Sequence, residues 1–356
     1  MAPGLCLRAS PVIRTLERDE GPGAPEVALE WRHGDPNGPE RVNELLAQSE
    51  LCIIQHEYGI FDGPDGAAIV EVIERSPIPT IVVLHTVLAE PTTMQRSILE
   101  EVCGSADAVV TQTNAARRRL LQCFSVSSAK THVIQHGAAP NLTDRTRLPS
   151  SEPLVLTWGL IGPGKGLELA IDAMAEPSDL NPAPRYLVAG QTHPKVLALQ
   201  GERYRESLHA HADSLGMSDR VTFDDRYRSL AELATLIRSA DLVLLPYESR
   251  DQVTSGVLVE ALASGQPVVA TAFPHAREAL ASGAGRIVGH DDPRSMADAI
   301  RELITDPRQA AVARDVAARV GRTLFWPEIG RRYLELADVT IAGSLAARRP
   351  LLLASG

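Results

Sequence analysis

The feature that most constrains the fold of this chain is an alternation of two kinds of segment. Short apolar runs rich in β-branched residues, such as LCIIQ from Leu51 and TIVVLHT from Thr80, are separated by amphipathic stretches. This alternation is typical of parallel α/β sheets, in which a helix crosses over the sheet between one buried strand and the next. The pattern therefore predicts an α/β protein.

Ten apolar runs are predicted to be strands, and they form two series. The first series begins at residues 51, 80, 108 and 132, and the second at residues 154, 185, 220, 242, 266 and 285. Helices are predicted over residues 66–75, 91–103, 114–123, 293–304 and 309–324. A polar stretch without periodicity, residues 138–153, separates the series and is predicted to be an interdomain linker. We expect two doubly wound domains facing each other across a ligand cleft at the carboxyl ends of both sheets.

The amino-terminal segment departs from this pattern. A doubly wound domain usually opens with an apolar strand that runs into a glycine-rich turn. Residues 1–25 offer no clear strand of this kind. The first strand of the first domain is therefore expected to be missing or unusual.

Composition limits the class of protein. With 356 residues, of which 44% are hydrophobic and 22% charged, the chain is long enough for two cores. A formal charge of −10 argues against nucleic acid or an anionic bilayer as the main partner. The four cysteines lack metal-type spacing and are expected to be reduced and buried. No run reaches the roughly 20 apolar residues of a membrane span, and no secretory signal is evident, so a cytoplasmic location is expected.

The segment GLIGPGKG, residues 159–166, is the first candidate for a phosphate site. It follows a predicted strand and opens a helix, so glycines such as Gly162 and Gly164 allow close backbone approach while Lys165 adds positive charge. The first seven positions satisfy a Walker loop, but Gly166 stands where that loop carries Ser or Thr. A P-loop hydrolase, which would release phosphate in a magnesium-dependent reaction, is therefore a poor fit. A glycine-rich turn with a surface lysine is the structural alternative.

The segment RDQVTSGVLVEALASGQPVVAT, residues 250–271, is the second candidate. A helix is predicted to begin near Thr254, so the amides of Thr254, Ser255, Gly256 and Val257 are expected to be available at its N-terminus. A pyrophosphate there would gain from the helix dipole, by up to about 2 kcal/mol when partly buried. Taken alone, Thr254 and Ser255 are better explained as helix caps.

Several polar residues follow predicted strands, where doubly wound folds bind ligands. His85 ends the strand TIVVLHT, and His56 with Glu57 occupies an equivalent position after LCIIQ. Thr192 and His193 close a strand of the second series. Packing at a strand end is the alternative for each of them. No G-x-S-x-G, H-E-x-x-H or matched cysteine and histidine is present, so positioning and charge stabilisation are expected to carry any reaction.

The order of these segments resembles the retaining glycosyltransferases of the GT-B fold, in particular their family four. The resemblance is carried by LTWGLIGPGKGLELAIDAM, by the long segment that runs through QVTSGVLVEALASGQPVVAT, and by FWPEIGRRYLELA. Within that family it looks closest to a branch with the motifs QHEYGIF, LHTVLAEP, AGQTHP and QVTSG. It implies an acceptor-side domain over residues 1–145, a donor domain over 151–325, a crossing helix over 326–340 and a tail over 341–356.

The resemblance also implies roles for individual residues. Lys165 and the amides of residues 254–257 would bind the donor diphosphate. Glu260 would bind the ribose, and Gln252 would contact the sugar hydroxyls. His85 would lie beside the anomeric carbon, and Arg226 with Tyr227 near the nucleobase. The expected reaction is a retaining, metal-independent transfer from a nucleotide-diphosphate sugar, without a further cofactor, to a glycan, small-molecule or lipid acceptor, for which peripheral membrane contact stays open.

Two positions depart from the family pattern within the donor domain. Leu160 stands where the family usually has a diphosphate-binding arginine, and Gln252 replaces the first of two glutamates. An amide can still bond a sugar hydroxyl, although it supplies no charge. These departures and the irregular amino-terminal segment motivate a second hypothesis, a nucleotide-sugar-binding or scaffold protein of the same fold with impaired catalysis. The sugar, the base and the oligomeric state are not specified by the sequence.

Overall fold

The computed structural model describes residues 12–16, 26–141 and 152–353, and the chain divides into two compact units. Unit 1 comprises Met1–Gln135 and Arg331–Gly356, and unit 2 comprises His136–Gly330. The first unit therefore ends before the predicted limit at residue 145 and takes up residues from the far end of the chain. Residues 142–151 of the predicted linker lie outside the described part.

Unit 1 contains six strands and four helices among its described residues, besides its part of the last helix of the chain. The strands are β1 Val12–Leu16, β2 Val27–Arg32, β3 Cys52–His56, β4 Thr80–Leu84, β5 Ala108–Thr111 and β6 Thr131–Val133. The helices are α1 Gly38–Leu46, α2 Ala68–Glu74, α3 Thr93–Ser105 and α4 Asn114–Cys123. Strands β3 to β6 pair in parallel in their chain order.

The amino-terminal strand corrects the sequence-based expectation. Val12–Leu16 pairs in parallel with β2, and Leu16 is 2% exposed. Pattern analysis misses β1 because its five residues, VIRTL, include an arginine and a threonine rather than a continuous apolar run. It also misses β2 and α1. Residues 17–25, where a glycine-rich turn would follow, lie outside the described part.

Among its described residues, unit 2 has six strands, eight complete helices and the start of α13, which continues into unit 1. The strands are β7 Leu154–Trp158, β8 Arg185–Ala189, β9 Val221–Asp224, β10 Leu242–Leu245, β11 Val268–Thr271 and β12 Gly285–Val288. The helices are α5 Leu167–Ala175, α6 Pro194–Gln200, α7 Arg203–Ser214, α8 Leu230–Ser239, α9 Gly256–Ala263, α10 Pro274–Ala279, α11 Pro293–Thr305, α12 Pro307–Thr323 and α13 Trp326–Leu353. Three short 3-10 turns complete the described chain, at Pro64–Gly66, Ser128–Lys130 and Glu176–Asp179.

All six strands of unit 2 are parallel, in the order β12-β11-β10-β7-β8-β9. The order reverses between β7 and β10, which makes this pair the switch point of a doubly wound sheet. Both faces of the sheet are covered, since Val243 and Leu245 of β10 enter one apolar cluster while Leu242 and Leu244 enter the other. The predicted α/β class is confirmed, and each of the ten predicted runs overlaps a strand.

The carboxyl-terminal helix is longer than expected. The predicted helix over 326–340 continues to Leu353, so most of the predicted tail over 341–356 is helical. Of the cysteines that the structure describes, Cys103 is buried whereas Cys52 and Cys123 are partly exposed, and all three are free thiols. The expectation of buried cysteines therefore holds only for Cys103, and Cys6 lies outside the described residues.

Candidate functional site

The two candidate phosphate segments leave adjacent strands at the switch point of unit 2. Strand β7 pairs with β10 through Val155 and Leu242, and both strands run in the same direction. The glycine-rich segment follows β7, and the segment that leads into α9 follows β10. Because parallel strands end at the same edge of a sheet, the switch point brings both segments to one place.

The glycine-rich segment lies directly against the segment that follows β10. Gly166 has φ +66°, and a Cβ at that position would lie 1.9 Å from the carbonyl oxygen of Pro246. The amide of Glu248 donates to the carbonyl of Gly164 at 3.1 Å. Only glycine fits at position 166, so the Ser or Thr that a Walker loop requires has no room there. These contacts hold the two loops together.

The Lys165 side chain contacts the segment that follows β10. Its ammonium lies 4.7 Å from the centre of the Tyr247 ring, within the range of a cation–π contact. Burial lowers the pKa of Lys165, because the charged form loses contact with water. An anion bound beside the ammonium would offset this loss. The predicted diphosphate-binding lysine is thus held among the elements of the switch point.

Helix α9 begins two residues later than predicted. Its first residue is Gly256, and Ser255 is the N-cap, whose hydroxyl accepts from the amide of Leu258 at 3.3 Å. The amide of Ser255 donates to Nδ1 of His275 at 2.8 Å, in a buried position. Of the four amides predicted to be available here, that of Ser255 is therefore already used, and that of Thr254 stays a prediction. The amides of Gly256 and Val257 have no intrahelical acceptor, because they belong to the first residues of the helix.

Glu260 and Gln252 flank the start of α9. One carboxylate oxygen of Glu260 accepts from the indole Nε1 of Trp158 at 3.1 Å, so the last residue of β7 orients this side chain. The Nε2 amide of Gln252 donates to the carbonyl of Thr254 at 3.0 Å, within its own loop. The Gln252 side chain therefore closes on the backbone of the segment that precedes the helix.

Thr192 and His193 lie against the glycine-rich segment. The amide of His193 donates to the carbonyl of Ile161 at 2.8 Å, and Thr192 forms a parallel bridge with Ile161. Thr192 is buried, with its hydroxyl donating to Glu202, and His193 caps α6 by accepting from the amide of Lys195 at 3.1 Å. Both residues stabilise the loop that carries Gly162.

Arg226 and Tyr227 follow β9, the edge strand of the sheet. The Arg226 guanidinium makes a bidentate pair with Asp224, with Nε at 3.0 Å and Nη2 at 2.6 Å, and this pair holds the pKa of the carboxyl well below its usual range. Tyr227 is 86% exposed. An open cavity of about 410 Å³ is lined by Arg226, Tyr227, Arg228, Ala231, Glu232 and Thr235. Strand β8 separates this cavity from the switch point.

In unit 1, the structure brings His56, Glu57 and His85 to the carboxyl ends of the neighbouring strands β3 and β4. The amide of His85 donates to the carbonyl of His56 at 3.0 Å, and the hydroxyl of Thr86 donates to Glu57 at 2.6 Å. The His85 ring is hydrogen-bonded through Nε2 to the side chain of Gln55 at 2.7 Å. Glu57 and His85 are half-buried.

The His56 ring is completely buried, which does not fit the predicted place in a ligand cleft. It packs against the rings of Tyr58 and Phe61, at 5.5 Å and 6.4 Å between centroids. Burial, reinforced by the nearby charge of His85, lowers the pKa of His56 to about 4. Packing at a strand end, the structural alternative, is what the geometry supports for this residue.

Four residues of unit 2 contribute to the site without having been predicted. They are His136, Trp158, Tyr247 and His275. Trp158 is the last residue of β7, and Tyr247 follows β10. An aromatic residue at the end of a predicted strand could therefore have indicated both of them. His136 lies beside the start of α9, where a Cβ on Gly256 would be 3.7 Å from its Nε2. His136 and His275 carry no sequence signal, because their positions depend on contacts far apart in the chain.

Solved structures share this fold. Sucrose-phosphate synthase from Thermosynechococcus elongatus superposes with a TM-score of 0.73 at 19% identity, over 93% of this chain and 88% of that one. HepE from Anabaena, solved in complex with UDP, superposes with a TM-score of 0.69 at 20% identity, over 90% of this chain and 87% of that one. The fold is therefore that of the GT-B glycosyltransferases.

Sequence comparison gives the family. The family model of glycosyl transferases group 1 matches residues 140–319. The D-inositol 3-phosphate glycosyltransferase of Kineococcus radiotolerans is 30% identical over 311 residues, which are 77% of this chain and 69% of that protein. The enzyme of the same description from Stackebrandtia nassauensis is 34% identical over 227 residues, 60% of this chain and 50% of that protein. The chain belongs to the glycosyl transferases group 1.

The match to these relatives is partial. The chain spans about half the length of the Stackebrandtia protein, and 57% of the length of a relative of the same description from Mycolicibacterium smegmatis. Across residues 12–16, 26–141 and 152–353, no helix combines the length and the apolar character that crossing a membrane requires. The same residues include no group of three His, Cys, Asp or Glu side chains placed to hold a metal ion.

Proposed function

We propose that this chain transfers a sugar, with retention and without a metal, from a nucleotide-diphosphate sugar to an acceptor hydroxyl. The observation that carries the proposal is the convergence of the Lys165 ammonium and the start of α9 at the switch point of unit 2. A positive side chain and a helix N-terminus together favour a diphosphate. The second unit is the donor domain in this proposal, and the first unit receives the acceptor.

The remaining parts of the donor are assigned around that site. Glu260, oriented by Trp158, binds the ribose, and Gln252 contacts the sugar hydroxyls. Arg226 and Tyr227, which line the open cavity after β9, contact the nucleobase. A nucleotide sugar as the donor is supported by HepE from Anabaena, a protein of the same fold that has been solved with UDP and with UDP-glucose. UDP-glucose is therefore the first donor to test.

In the proposed reaction, stabilisation of the leaving diphosphate lowers the activation free energy. The bond between the anomeric carbon and the phosphate oxygen breaks, and a bond to the acceptor oxygen forms on the same face. The acceptor proton passes to the leaving phosphate. Negative charge builds up on the diphosphate in the transition state, so Lys165 and the amides of Gly256 and Val257 act where the charge develops. His85 lies beside the anomeric carbon in this proposal, and Glu57 contributes to the acceptor side.

The first experiment is a donor panel with a matched pair of lysine variants. Lys165→Ala removes a charge-assisted hydrogen bond to the diphosphate, so we expect the Kd for UDP to rise by about ten- to a hundredfold and turnover to fall. Lys195→Ala is the control, because Lys195 is an exposed lysine on α6. Binding is measured by calorimetry and transfer is measured with D-inositol 3-phosphate and simple glycans as acceptors, with and without a chelator. Equal UDP affinity in the two variants contradicts the assignment.

A second function is favoured by two features of the site. Gln252 donates to the carbonyl of its own loop, and Leu160, 46% exposed, supplies no charge. These features fit a protein that binds nucleotide sugars with impaired catalysis. The donor panel separates the two functions: tight binding of UDP-glucose without hydrolysis or transfer to any acceptor supports the binding protein, whereas turnover supports the enzyme.

A further inference from the structure

Tyr247 is a buried aromatic residue at the exit of β10. It follows Pro246, and it is 2% exposed. Its ring packs against that of Phe273, with 5.2 Å between centroids. Burial raises the pKa of its hydroxyl to about 12, so the side chain is a neutral phenol at physiological pH. The position of the ring is therefore fixed by packing.

The Tyr247 side chain contacts both halves of the switch-point site. Its ring face lies 4.7 Å from the Lys165 ammonium, on the segment that follows β7. Its hydroxyl lies beside Ser255, the N-cap of α9, whose side chain lowers the pKa of the phenol against the larger effect of burial. One rigid side chain thus lies next to both the lysine and the helix cap.

Lys165 is the one charged side chain in the glycine-rich segment GLIGPGKG, so its position matters for binding an anion there. Leu160 stands at a neighbouring position of the glycine-rich segment and supplies no positive charge. A lysine side chain loses rotamer freedom when it is ordered, and this loss opposes ligand binding. A contact that orders the side chain in advance removes part of this cost from ligand binding.

We propose that Tyr247 is a positioning residue for the donor diphosphate. Its ring face holds the Lys165 ammonium, and its hydroxyl lies beside the Ser255 cap, so that the lysine and the first amides of α9 keep a fixed relative position before the donor binds. The inference rests on the proposed function, since it assigns Lys165 to the diphosphate. It adds to that function a residue that holds the Lys165 side chain in place before the donor binds.

The contact between Tyr247 and Lys165 can be tested without any ligand. The chain contains three lysines, Lys130, Lys165 and Lys195, so isotope-labelled lysine gives a simple NMR spectrum. Phenylalanine and 3,4,5-trifluorophenylalanine at position 247 keep the ring shape, and fluorine withdraws electrons from the ring face. We expect the Lys165 titration midpoint to fall from the first to the second ring, because the weaker face stabilises the ammonium less.

The controls for this titration lie within the same protein. The NMR signals of Lys130 and Lys195 should be the same in both forms. Phe273 contacts the Tyr247 ring instead of Lys165. The fluorinated ring at position 273 should therefore leave the titration midpoint of Lys165 unchanged. An identical midpoint for Lys165 with the plain and the fluorinated ring at position 247 would overturn the contact.

Donor affinity is the second measurement, with UDP as the probe. When the phenylalanine at position 247 is replaced by its trifluorinated form, the Kd for UDP should rise by roughly three- to tenfold. The role of the Tyr247 hydroxyl is tested by comparing Tyr247→Phe with Tyr186→Phe. Tyr186 is the control because it is also a buried phenol, and it donates to Thr157 at 2.9 Å. Both variants should lose similar stability, and only Tyr247→Phe should weaken UDP binding.

The outcomes separate this inference from the proposed function. If the natural protein binds UDP and the affinity is the same for every ring at position 247, the positioning role is wrong and the proposed function stands. If the natural protein binds no nucleoside diphosphate, the proposed function is wrong, and the positioning role is overturned with it.

Discussion

Ser255 fixes the start of α9 with both its side chain and its backbone. The hydroxyl accepts from the amide of Leu258, and the backbone amide donates to His275. The sequence could predict a cap here, because serine before an apolar helical run is a common helix start. It could not predict His275, since that contact joins positions 20 residues apart through tertiary packing. A phosphate assigned to this helix start therefore meets fewer amides than the motif alone suggests.

Trp158 gives a test at the scale of one hydrogen bond. Trp158→Phe removes the donor to Glu260 and leaves the carboxylate less well oriented, so we expect the Kd for UDP to rise by about three- to tenfold. The control is Trp31→Phe, since the Trp31 indole nitrogen is buried without a hydrogen-bond partner among the described residues. Calorimetry with UDP measures both variants. A larger effect from Trp31→Phe would contradict the role given to Glu260.

At the scale of elements, sequence pattern predicts the buried strands better than the exposed edges. Strands β4 and β10 are fully buried apolar runs, and their β-branched and leucine residues identify them at once. The strand β2, VALEWR, contains a glutamate and an arginine, and α1 begins with Gly38 and Pro39, so neither matches a simple period. The switch point itself was not visible in the sequence, because strand order depends on which strands pair.

The contact between the two loops of unit 2 gives a test at this scale. Gly166→Ala places a Cβ against the carbonyl of Pro246 and forces the loops apart, in addition to the strain of a positive φ. Gly201→Ala is the matched control, because Gly201 has φ +65° with no atom within 4 Å of the added Cβ. We expect the control to lose about 1 kcal/mol and Gly166→Ala to lose roughly 2 kcal/mol more. Urea unfolding measures both free energies.

Gly166→Ala and Gly201→Ala should also differ in their affinity for UDP. Because the clash at position 166 separates Lys165 from the start of α9, Gly166→Ala should weaken UDP binding, while Gly201→Ala should leave it unchanged. Equal unfolding free energies for the two variants would show that the contact with Pro246 relaxes at no cost.

At the scale of the whole molecule, two buried histidines make stability depend on pH. Burial lowers the pKa of His56 in unit 1 and of His275 in unit 2 to about 4 each. The folded protein therefore binds fewer protons than the unfolded chain between these values and the ordinary histidine pKa of about 6.5. Their contribution is complete above about pH 6.5 and is lost as the pH falls toward about 4.

The prediction is tested with histidine variants. Each buried histidine contributes on the order of 3 kcal/mol to the fall in unfolding free energy between pH 7 and pH 4. His275→Asn should therefore show a shallower dependence on pH than the natural protein. His209→Gln, which replaces an exposed histidine, is the control. Parallel curves for the two variants would contradict a neutral, buried His275.

The division of the chain between the units has a consequence for biosynthesis. Unit 1 includes residues on both sides of unit 2 in the sequence, since it takes up Arg331–Gly356. A ribosome therefore delivers the last residues of unit 2 before it delivers the last residues of unit 1. Domains generally fold as units, in the order in which they are synthesised. In this protein the unit that begins first is completed last, so the nascent chain must keep unit 1 unfinished while unit 2 already has every residue that it needs.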